Sequence, residues 1–227
     1  MTSPGPTVAS SAQPPPRDAS TSTRLLLACG IAGPVAFWVL GSIAAATWPG
    51  YDPVSQSISV MVHAPEGWLQ VDAFILLGVL SLAFAVGMGR VAGATHAARD
   101  RVRSALLILA TIQLGFALFP TDPGTATSLH GAVHLLVFAA FAVAFPIVAW
   151  RIAGPLRADP PWRRAGTLTA GVAVGMAVAL VTVVLTIGGP LETYLGLLER
   201  VYVAVPSLWL VGIAAHGLVV TTGRFGA

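Results

Sequence analysis

The residues best suited to chemistry are two histidines four apart, in the run His130-Gly131-Ala132-Val133-His134. On a helix they share a face, so they could share a proton, an anion or a metal ion. Asp122, in the preceding Pro120-Thr121-Asp122-Pro123-Gly124 segment, could fold back to join them. With Asp122, His130 and His134 as ligands, a divalent metal such as zinc would hold a water as nucleophile. The pattern lacks the glutamate of a zincin motif, and two histidines alone supply one ligand fewer than a catalytic zinc site needs. A further set of polar side chains could gather near them: Asp72, Gln113, Glu199, Arg200 and Tyr202. A separate stretch, Tyr51-Asp52-Pro53-Val54-Ser55-Gln56-Ser57-Ile58-Ser59, offers Tyr51, Asp52, Ser55, Ser57 and Ser59 to the same region.

The elements that must position these groups cross a membrane. Of 227 residues, 56% are hydrophobic and only 9% charged, against about a quarter charged in a soluble domain. Six apolar runs follow one another: Leu25–Trp48, Val71–Val91, Val102–Phe119, Leu129–Trp150, Ala165–Ile187 and Val201–Val220. Each is close to the ~20 residues that one helical crossing needs, and none alternates as barrel strands do. The expected fold is an all-α polytopic bundle of six transmembrane helices spanning residues 24–221, flanked by a disordered Pro- and Ser-rich tail over 1–23 and a short tail over 222–227. The single cysteine, Cys29, excludes an internal disulfide.

Arginine sets the expected orientation, because cytoplasmic flanks carry the positive excess. Eleven of twelve arginines fall on one side under a six-span plan, leaving only Arg200 on the other, where six of the nine acidic residues lie. Both termini are then cytoplasmic in a multi-pass protein of the cell membrane, and loops 49–70, 120–128 and 188–200 face outward. The basic inner face suits anionic lipids. That explains the pI near 9.8 without nucleic acid as a partner.

Depth sorts the polar groups. At 1.5 Å per residue, His134 and Gln113 both lie ~8–9 Å inside the outer ends of their spans. An imidazole that deep needs a partner, and Gln113 is the expected one, with Asp72, Asp122 or Glu199 close to His130. In the first outer loop Asp52 as N-cap and Pro53 at the first helical position favour a helix. Its Val54, Ile58, Met61 and Val62 would share one face lying flat on the membrane. Gly171 and Gly175 stand at G-x-x-x-G spacing, a face for a partner helix. Pro34, Pro146 and Pro206 fall inside spans, and Pro206 frees the carbonyl of Tyr202.

The segment Tyr51 to Ser59, with Phe119-Pro120-Thr121-Asp122-Pro123 and His130/His134, resembles family 998 of the domains of unknown function. The resemblance covers residues 24–221 and implies a bacterial or archaeal membrane protein of about six spans. That family often continues its first motif with Ser-Glu, where Val60 follows Ser59 here. No reaction comes with it. A more distant likeness, in residue types alone, is to membrane-embedded zinc hydrolases of the alkaline ceramidase type, which have seven spans and a third histidine. The expected function is the binding of a small ligand, ion or lipid head group in an outward-facing polar pocket. The alternatives are a metal-dependent hydrolase of lipids or amides at the outer leaflet, and a scaffold for another membrane protein.

Overall fold

The computed structural model describes residues 20–124, 127–186, 189 and 191–223. Most of the 1–23 tail, with Arg17 and Asp18, lies outside the described residues, as does Arg224. Six helices follow in order: α1 Thr21–Ala46, α2 Trp68–Val91, α3 His96–Leu118, α4 Leu129–Ala158, α5 Arg163–Thr186 and α6 Leu195–Val220. Among the described residues there is no strand. All six are long and apolar enough to cross a membrane.

The helices outrun the apolar spans at their ends. Ser20 caps α1, its hydroxyl accepting the Thr23 N–H at 3.4 Å, so residues 21–23 are helical and not tail. Thr95 caps α3, accepting the Ala98 N–H at 3.1 Å. The first turns of α3 are then polar, with Asp100 paired to Arg103 at 3.0 Å. At 30 residues α4 is the longest, ~45 Å at 1.5 Å per residue, more than the ~30 Å hydrocarbon core. A hydropathy run measures the apolar stretch; the hydrogen-bonded helix continues into the interface wherever a cap or ion pair satisfies its end.

Each helix packs beside the next in sequence, and α6 returns against α1, so the six close into a ring. Two apolar clusters fill it. The larger joins all six helices around Leu27, Phe84, Phe145, Ile152 and Trp162. The smaller lies at the end carrying the 49–67 segment, called the loop end below, and contains Phe37, Phe74 and Leu77.

The 49–67 segment departs from the flat interfacial helix. It makes one turn over 53–55 and then a short 3-10 helix over Ser59–His63. Ile58 and Met61, each 3% exposed, point into the smaller cluster. The segment is therefore a plug in the mouth of the ring. Two buried apolar side chains recover more by packing on Phe37 and Phe74 than by lying at an interface, at ~1.5–3 kcal/mol for each side chain removed from water.

Orientation is open to direct measurement. Ser55 is exposed on the plug, so Ser55→Cys in a Cys29→Ala background should react with an impermeant thiol reagent applied to intact cells. Labelling only after the membrane is broken would invert the topology expected from the arginines.

Candidate functional site

The plug is held from the other end of the chain. Arg200 lies on the second turn of α6. Its Nη1 donates to the carbonyls of Pro53 at 2.8 Å, Gln56 at 3.0 Å and Gly196 at 2.9 Å, and its Nη2 donates to the Tyr51 hydroxyl. Its guanidinium carbon also lies 5.6 Å from the Tyr51 ring centroid. The Tyr51 hydroxyl in turn donates to the Ser57 carbonyl at 2.9 Å. Beside it, Glu199 accepts the Ile58 N–H at 2.8 Å, and the Leu197 N–H reaches the Val54 carbonyl at 2.9 Å. Gly196 is required here: a Cβ would strike the Gln56 carbonyl. Arg200 therefore serves the loop and forms no salt bridge with Glu192 or Glu199 among the described residues.

The remaining loop groups shape the turn. Asp52 accepts the Val54 N–H at 3.0 Å and the Ser55 hydroxyl at 2.5 Å. The Ser55 hydroxyl, then the Val54 N–H, holds its carboxyl below the ordinary value. Burial pushes the Tyr51 phenol up, against the opposing pull of Arg200. The Ser57 hydroxyl accepts the Val60 N–H at 3.3 Å and lies 3.3 Å from that of Ser59.

The histidine site does not assemble. Asp122 accepts both the backbone N–H of Ser128 at 2.7 Å and its hydroxyl at 2.6 Å, and the same Ser128 hydroxyl caps α4 by accepting the Gly131 N–H at 3.1 Å. These bonds, the hydroxyl first, hold the Asp122 carboxyl below its ordinary value. His134 is 3% exposed and bonds through Nδ1 to the Phe119 carbonyl at 2.8 Å. Gln113, its expected partner, leaves its buried Oε1 with no protein partner. His130 is exposed and lies 6.1 Å from the Phe119 ring. Asp72 is exposed on the first turns of α2 and joins neither group. Among the described residues no three His, Cys, Asp or Glu side chains stand where they could hold a metal ion, so the trio of Asp122, His130 and His134 is not gathered. The reason is local: the last carbonyls of α3 have no helical partner, and the nearest one takes the imidazole. Tyr202 likewise ties helices together, donating to the Ala142 carbonyl of α4 at 3.1 Å.

What the site does contain is Gln70, which the sequence reading passed over. It is 0% exposed, and both amide atoms lack a protein partner. It lines a cavity of about 400 Å³ with Tyr51, Arg200, Trp38, Phe37 and Ile58. Gly41 makes room for it: a Cβ there would lie 2.8 Å from Gln70 Oε1.

Compared with known proteins, the chain matches the family described as "Protein of unknown function (DUF998)" over residues 31–216. The chain belongs to the DUF998 family. No curated protein and no solved structure matches it. The DUF998 match and the six apolar helices make it an integral, multi-pass membrane protein. The match runs from α1 to the last turns of α6, so it takes in both the plug and the Glu199-Arg200 pair that holds it.

Two outcomes follow for this DUF998 chain. Arg200→Ala should lower stability by about 2 kcal/mol and make the 49–67 segment sensitive to protease. Arg200→Lys should not restore it, since an ammonium is a single point that cannot span three carbonyls and a phenol; melting temperature and limited proteolysis report both. For pH, Asp52 and Asp122 have lowered values, so what they add to the loops is present above the ordinary 3.8 and is lost as pH falls through the lowered values. Protease sensitivity of these loops should therefore stay flat from neutral pH to about 4 and rise only below it.

Proposed function

We propose that the chain binds a small neutral ligand, or the head group of a lipid, in the cavity at its loop end. The observation that carries this is Gln70. A buried amide with neither its donors nor its acceptor satisfied by protein costs roughly 1–3 kcal/mol per group. Such a group persists where a ligand or water completes it. Carboxamide, hydroxyl or glycerol groups present a donor and an acceptor side by side, which suits an amide better than a charged group would. The walls support an amphiphilic occupant, because Phe37, Trp38, Ile58 and Met61 line the cavity together with the polar Tyr51, Gln70 and Arg200. Arg200 already directs Nη1 to three carbonyls and Nη2 to Tyr51, which weighs against an anion as the ligand.

Gly41→Val would fill the cavity against Gln70, and Gln70→Leu would keep the volume without the hydrogen bonds. Purified protein, extracted with organic solvent and analysed by mass spectrometry, should yield a stoichiometric small molecule from the wild type that both variants lose. If wild type and variants release the same species in the same amounts, the reading fails.

A further inference from the structure

Beneath this vestibule lies a second, smaller chamber of about 60 Å³ that shares Phe37 and Ile58 with it as a partition. Its walls are largely apolar, phenylalanines alternating with Leu77, Val203 and Leu210. The ring centroids of Phe37 and Phe74 are 5.6 Å apart, those of Phe74 and Phe116 5.5 Å, and those of Phe116 and Phe141 6.2 Å, a continuous strip from α1 to α4. Four oxygen-bearing side chains interrupt it: Ser59, Gln113, Glu199 and Ser207.

Protein donors meet these oxygens only in part. Gln113 Oε1 is buried with no protein partner. The Ser207 hydroxyl uses its proton on the Val203 carbonyl at 2.9 Å. Glu199 receives one backbone N–H, from Ile58, through Oε2. Its neighbour Arg200, the nearest cation in sequence, is turned to the loop carbonyls. A carboxylate on the second turn of a membrane helix, facing phenyl rings, calls for a positive partner.

We propose that this chamber binds a small organic ammonium ion, with its charge and N–H groups on Glu199 and Gln113 and its alkyl carbons against the rings of Phe74, Phe116 and Phe138. An ammonium supplies the donors that the oxygens lack, and aromatic faces attract a cation through the ring quadrupole. A metal cation fits less well: calcium takes six to eight oxygens, and the side-chain oxygens of four residues among phenyl rings fall short. The chamber's size limits the ion to a few heavy atoms. Ile58 links the two compartments, since its side chain partitions them and its N–H occupies the carboxylate that the ammonium would engage. The inference goes beyond the reading of the vestibule and rests on different residues.

The test is titration calorimetry of the full chain in lipid nanodiscs with ethylammonium, with sodium as the comparison. Wild type should bind ethylammonium saturably. Glu199→Gln, which keeps the acceptor for Ile58, should weaken it at least about tenfold, and Phe116→Leu by severalfold. His130→Ala, exposed and outside both cavities, should leave it within about twofold. No saturable binding up to about 10 mM, sodium binding in its place, or unchanged affinity in folded Glu199→Gln would each overturn the proposal. If Glu199→Gln does not fold, unchanged affinity in Phe116→Leu overturns it instead. Loss of the extractable species in Gln70→Leu with ethylammonium binding absent in all forms would leave the vestibule reading standing alone. Ethylammonium binding with no such species would do the reverse.

Discussion

The loop end depends on the bonds that the second turn of α6 sends across to the 49–67 segment. A loop seated in the mouth of a membrane bundle carries backbone carbonyls into a region where water is scarce, and each must find a donor. Arg200 answers with a planar, five-donor group that reaches two loop carbonyls and a phenol at once, while Glu199 takes the one loop N–H that points the other way. With those bonds in place Ile58 can bury its side chain between two cavities. Without them the loop would lose its seat and both cavities would open.

The two cavities differ in polarity. The vestibule combines an unsatisfied amide with hydrogen-bonded Tyr51 and Arg200, whereas the chamber sets a few acceptors in a largely apolar wall. The polar groups thin out toward mid-span, where Ser81 is buried with its hydroxyl unpartnered.

The crossings were legible because the bilayer imposes them: an apolar run of about 20 residues has few other uses, and all six runs fall within the six helices or their immediate ends. The caps beyond the runs were not, since Ser20 and Thr95 act through backbone geometry that hydropathy does not register. At the site, side chains were easier to read than carbonyls. Pairing His134 with Gln113 by equal depth ignored the free carbonyl of Phe119 at the end of α3, which is the partner found. Asp122 looked like a ligand because its role as a brace for Ser128 needs the loop's path to be known. Gln70 stood in the sequence as an ordinary polar flank of a span; its burial depends on Gly41, a neighbour only in three dimensions. Among the described residues the glycine-spaced face of Gly171 and Gly175 meets nothing within 4 Å of either added Cβ, so none of the six helices packs on it.

The clamp joins positions 144 to 149 residues apart, from the first connection of the chain to its final helix. During synthesis the segment after α1 emerges well before α6, so Ile58 and Met61 can settle on Phe37 and Phe74 of α1 and α2 before Arg200 is there to bind the loop carbonyls. Until α6 is in place it is the carbonyls of Pro53 and Gln56, not the apolar side chains, that lack the partner the finished fold gives them. The loop is thus seated in two stages, its side chains by the first two helices and its backbone by the sixth.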